Sequence, residues 1–171
     1  MKPAAGSVLN FAYGSNMLRA RIQARVPSAR AIGTALLAAK ALRWHKRGQD
    51  GSGKCDIVDS SAPGAQVFGV LYELAADEKH RLDEAEGLGI GYEKVELVVA
   101  VAGRKVRVSA YRALQVQHGI LPFSWYRALV VAGARQHRLP ADYVARLEAT
   151  PAVDDEDGGR HSMNMAIADR I

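Results

Sequence analysis

Apolar and polar positions along the chain follow two periods that change places several times. Val8 to Tyr13 is a short apolar run that predicts a strand broken at Gly14, after which Leu18, Ile22 and Val26 recur at helical spacing until Val26-Pro27. Ala29 to Trp44 is ambiguous by pattern, since its Ala and Leu content favours helix without excluding strands. Arg47 to Lys54 contains three glycines and predicts a mobile loop. Cys55 to Ser60 and Val67 to Leu74 read as strands joined across Pro63-Gly64. A helix is predicted over Asp77 to Glu86, then a loop over Gly87 to Gly91. Strands follow over Glu93 to Val101 and Val106 to Leu114, with a hairpin at Ala102-Gly103-Arg104-Lys105. Ser124 to His137 and Ala141 to Ala149, the latter opened by Pro140, read as helices. Asp154 to Gly159 reads as a solvated acidic tail, and Arg160 to Ile171 carries no signal.

Two places in this pattern carry chemistry. At Tyr13-Gly14-Ser15-Asn16 a strand passes through two capping residue types into a helix, and such a turn aims free backbone N–H groups at one point, at the positive end of the helix dipole. It suits a carboxylate, a phosphate or an oxyanion, and the pattern by itself does not choose among them. The second place is Leu82-Asp83-Glu84-Ala85-Glu86-Gly87. Gly87 suits the left-handed position that ends a helix, which leaves Glu86 on the last turn and on the face of Leu82, while Glu84 points to solvent. Glu78 falls on the Leu82 side as well, so the stripe is imperfect. A carboxylate on an apolar face beside the negative helix end is in surroundings that oppose ionisation and suit a general base.

These segments, in this order and spacing, resemble the gamma-glutamylcyclotransferase family, also called the AIG2-like superfamily. Ser124-Trp125-Tyr126 opening a helix that ends before Leu139-Pro140 adds to the resemblance, which runs from about Asn10 to about Glu148. It implies an α+β fold, a small mostly antiparallel β-barrel flanked by helices, with two strands in the ambiguous stretch from Ala29. It also implies Glu86 as the catalytic acid/base and Tyr13, Gly14, Ser15, Asn16 and Tyr126 as substrate-binding residues. The reaction implied is conversion of a gamma-glutamyl amide into 5-oxoproline and a free amine or amino acid, without a cofactor. Glutathione-specific relatives carry leucine where this chain has Asn16. Ser15-Asn16 therefore points away from glutathione, and the group beyond the γ-amide is expected to be read loosely. A non-catalytic small-molecule-binding module on the same fold is the rival reading, and retention of Glu86 argues against it.

Composition sets the remaining limits. A chain of 171 residues suits one domain spanning 1–171, with a core over about 8–149 and a tail over 150–171. The net charge of +5 and pI near 9.5 permit an anionic partner. Without a nucleic-acid-binding motif they do not indicate nucleic acid, and Arg19, Arg21 and Arg25 read as the solvated face of the first helix. The N-terminal residues lack the run of a signal peptide or membrane span, so a cytoplasmic protein is expected. The five histidines are too far apart for ligand spacing, so no metal is expected. Cys55 reads as a buried small residue, the glycines of Gly87 to Gly91 stand in the wrong order for a dinucleotide loop, and a homodimer is left open.

Overall fold

A computed structural model describes residues 2–170. Five strands close a barrel: β1 (Ser7–Ala12), β2 (Arg30–Ala38), β5 (Gln66–Ala75), β6 (Tyr92–Val101) and β7 (Arg104–Ala113), in the order β1-β5-β2-β6-β7. Every pairing is antiparallel except the seam, where β7 meets β1 in parallel at Asn10 and Ser109. Strands β3 (Lys40–Arg47) and β4 (Gly53–Asp59) form a separate two-stranded sheet. Around these lie α1 (Arg19–Arg25), α2 (Lys79–Glu86), α3 (Ser124–Gln136), α4 (Ala141–Glu148) and α5 (Gly158–Ala168). No described helix is long and apolar enough to cross a membrane.

The ambiguous stretch from Ala29 becomes the two strands that the resemblance implies. Helix propensity gives way there because β2 lies between β5 and β6, where its backbone groups enter ladders and Ala35 and Leu37 are buried. Ala39, at φ 56°, makes the break between β2 and β3. The β6–β7 connection is tighter than expected. Val101 pairs with Arg104, so Ala102 and Gly103, at φ 46° and 76°, form a two-residue turn. Strands β4 and β5, consecutive in sequence, belong to different sheets.

Two expectations are corrected. The glycine loop is shorter than predicted, because β4 starts at Gly53 and the turn before it is closed by the Gly48 amide on the Ser52 carbonyl at 2.8 Å and by Lys54 on Asp50 at 2.7 Å. The acidic stretch from Asp154 is exposed as expected except at Asp155, which anchors it. Asp155 is 7% exposed and accepts from the Trp125 indole and the Arg160 guanidinium, while Asp157 caps α5 by accepting from the Arg160 amide at 2.9 Å. The resulting helix packs on α3, so the stretch is tied to the body of the protein at Asp155 and through the helix that follows it. An acidic run reads as solvated when its partners are remote, and here Trp125 lies 30 residues away.

Helix α3 is buried along most of its length and presses on the turn after β1. A Cβ placed on Gly133 would lie 2.5 Å from the Leu18 nitrogen and 2.7 Å from the Met17 Cβ, so only glycine permits this approach. Gly133→Ala is expected to lower stability by about 1–2 kcal/mol despite alanine's better helix propensity, because overpacking outweighs it. Urea unfolding checks this. Unchanged or raised stability would mean that the turn yields to the helix.

Candidate functional site

Tyr13 and Gly14 leave β1 and run into a single 3-10 turn over Ser15–Met17, with α1 beginning after Leu18. The amides of Met17 and Leu18 bond back to the carbonyls of Gly14 and Ser15 at 2.9 and 3.2 Å. Among the described residues, no acceptor meets the amides of Ser15 and Asn16, which leaves two donors at the turn. The expected side-chain capping is absent: neither the 3-10 turn nor α1 has a side-chain cap. The Asn16 side chain reaches α2 instead. Gly14 is required for space rather than for its dihedral angle. A Cβ there would stand 3.1 Å from both the Cys55 Cβ and the Tyr126 hydroxyl.

Helix α2 ends as its sequence predicts. Gly87 adopts φ 63°, its amide bonds to the Glu84 carbonyl and that of Leu88 to the Asp83 carbonyl, both at 2.9 Å, which closes a Schellman motif. This ending faces Glu86 toward the turn while Glu84 stays exposed. Glu86 is not a lone carboxylate on an apolar face, however. Its Oε1 accepts from the Asn16 side-chain Nδ2 at 2.8 Å and pairs with the Arg25 guanidinium at 2.6 Å. Arg25 also donates to Asn16 Oδ1 at 2.8 Å, so the three side chains close a ring. Oε2 accepts no hydrogen bond among the described residues.

Glu86 stands where two spaces meet. The inner pocket runs from Asn10 along Tyr13 to Asn16 and is walled by Tyr92, Tyr111 and Tyr126. Ser15, Glu86, Tyr92 and Tyr126 also border a wider outer cleft. All five residues expected to bind substrate line the inner pocket, as does Glu86. Tyr13 donates its hydroxyl to the Tyr111 carbonyl, and the Tyr126 hydroxyl accepts from the Cys55 amide at 3.1 Å, so both rings are fixed. Burial pushes the phenols of Tyr13, Tyr92 and Tyr126 well above the usual tyrosine range, which keeps them protonated donors. Burial likewise pushes the Cys55 thiol up to about 12, as befits a packing residue and not a nucleophile. Among the described residues, no three His, Cys, Asp or Glu side chains converge to hold a metal.

Several lining residues escaped the sequence reading. Arg21 and Arg25 belong to the site and not to a solvated face, since α2 packs over that side of α1. Their spacing of four residues just after the turn was the available signal. Asn10, Tyr92 and Tyr111 carry none, because each looks like an ordinary strand position until the barrel closes. Tyr111 is oriented by donating to Asp83 at 2.6 Å while accepting from Lys79 at 2.6 Å.

The fold and site together define a small α+β barrel whose pocket opens between a strand-to-helix turn and the C-terminal end of a helix bearing a carboxylate. Known proteins share this fold. A family model described as the AIG2-like family matches residues 66–147. The human protein named gamma-glutamylcyclotransferase is 32% identical over 153 residues, covering 86% of this chain and 80% of the relative. The bovine protein of the same name is 30% identical, with 84% and 78% covered. A solved structure named gamma-glutamyl cyclotransferase superposes with a TM-score of 0.84 at 28% identity, over 94% of this chain and 99% of that one. The chain belongs to the gamma-glutamylcyclotransferase family, a family of enzymes.

Proposed function

We propose that the protein cyclises the glutamyl half of a gamma-glutamyl amide, releasing 5-oxoproline and the amine or amino acid to which it was joined. The observation that carries this reading is the unengaged Oε2 of Glu86 at the junction of the inner pocket and the outer cleft. With the glutamyl group in the inner pocket, the free amides of Ser15 and Asn16 supply donors for one of its negative oxygens. Glu86 takes a proton from the substrate's α-ammonium. The freed amine attacks the γ-carbonyl in a five-membered closure whose proximity is built into the substrate. As the tetrahedral centre collapses, the bond to the leaving nitrogen breaks and Glu86 returns the proton to that nitrogen; the second proton, left on the ring nitrogen by the attack, passes through the same carboxylate to the departing amine, which leaves as its ammonium. Arg25, always charged, and Asn16 hold Oε1 still while Oε2 does this work. The buried Tyr13 and Tyr126 shape the pocket around the glutamyl chain.

Mass-spectrometric detection of 5-oxoproline from gamma-glutamyl-alanine tests the reading. Binding of that dipeptide without turnover would favour a non-catalytic binding module. Intact glutathione is expected to be a poor substrate beside the dipeptide, because Asn16 stands where glutathione-specific relatives carry leucine, and its side chain is committed to Glu86 and Arg25. Matched 5-oxoproline assays check this, and comparable rates would overturn the branch assignment.

A further inference from the structure

The outer cleft receives whatever lies beyond the γ-amide, and its charges are unbalanced. Arg21, Arg25, Lys46, Arg47 and Lys54 line it, against Asp50, Glu84 and Glu86. Arg25 is paired with Glu86 at 2.6 Å and Lys54 with Asp50 at 2.7 Å. Arg21, Lys46 and Arg47 have no carboxylate within 4 Å among the described residues, and the remaining acid, Glu84, is exposed at the rim. Two of these unpaired cations are not surface groups. Lys46 is 8% exposed, and its ammonium lies 4.8 Å from the centre of the Tyr92 ring, with no carboxylate in direct contact among the described residues to offset the loss of water. Arg21 bonds Asn164 through Nη1 at 3.0 Å, while its buried Nε has no partner. Burial pulls the pKa values of Lys46 and Lys54 below the usual lysine range, against the opposing pull of Glu86 and Asp50 on Lys46 and of Asp50 on Lys54, and the charges of Arg21 and Lys46 add to the lowering of Lys54.

We infer that the cleft selects the leaving half of the substrate for negative charge: an acidic amino acid, glutamate or aspartate, joined through its nitrogen to the glutamyl γ-carboxyl. Its two carboxylates meet Lys46 on β3 and Arg21 on α1. The inference rests on the cyclisation reading and narrows it, replacing a loosely read leaving group by one chosen for charge.

The test compares gamma-glutamyl-glutamate with gamma-glutamyl-glutamine, which has the same shape without the second charge, by 5-oxoproline release from the wild-type enzyme. The acidic substrate is expected to show a kcat/KM higher by about tenfold or more, the size of a charge-assisted contact. Lys46→Met is expected to bring the ratio toward one, and Lys46→Arg to keep most of it. Equal kcat/KM values overturn the inference and leave cyclisation standing, whereas no 5-oxoproline from either substrate overturns both. The wild-type ratio decides even where a Lys46 variant fails to fold. A ratio that survives Lys46→Met overturns the assignment to that residue.

Discussion

Glu86→Gln is expected to cut 5-oxoproline release by 100-fold or more, the usual worth of a positioned acid–base group. The amide keeps the shape of the side chain and still offers an oxygen to Asn16 and Arg25, which meet Oε1 at 2.8 and 2.6 Å, but it cannot take and return a proton. It also leaves the Arg25 charge without its counter-ion in a pair whose side chains are 22% and 14% exposed, so a lower melting temperature accompanies the loss of rate. The two effects separate in the kinetics. A folded variant, shown by circular dichroism, that binds substrate yet turns over more than about a tenth as fast as wild type would remove Glu86 from the chemistry. Glu84→Gln, one turn-face away and exposed, is expected to be nearly silent.

N-acetylation of the substrate is expected to abolish turnover altogether. The proposed nucleophile is the substrate's own α-amine, and an acetamide nitrogen is neither basic nor able to deliver a proton to Glu86 in the same way. Gamma-glutamyl-alanine and its N-acetyl derivative, assayed side by side for both 5-oxoproline and free alanine, check this. Alanine released from the acetylated compound would replace intramolecular cyclisation by hydrolysis and would reassign Glu86 to activating water. The comparison needs no variant, so a folding defect cannot blur it.

Much of this arrangement is written locally. The break at Gly14, the stop at Gly87 and the two-period alternation of β6 and β7 depend on neighbours a few residues away, and each appears where its own stretch of chain predicts it. The positions of Glu86, facing inward, and Glu84, facing out, follow from helical spacing plus that one stop signal. The stretch from Ala29 to Trp44 is different: its composition leaves helix and strand open, and the resemblance, not the pattern, points to strands.

The break after β1, the end of α2 and the residue types at both can be read from local sequence, because these depend on backbone conformations and spacing within a few residues. What Glu86 touches depends on long-range packing. Asn16 and Arg25 lie 70 and 61 positions from it, and their contacts exist because α1 and α2 pack side by side. The same holds for Asp155, which meets Trp125 and ties an apparent solvated tail to α3, and for Lys46, a basic residue in a basic stretch until β3, in the two-stranded sheet, carries it over Tyr92 of the barrel. Local pattern records what a residue prefers, whereas burial and charge pairing depend on which distant segments the folded chain brings alongside it.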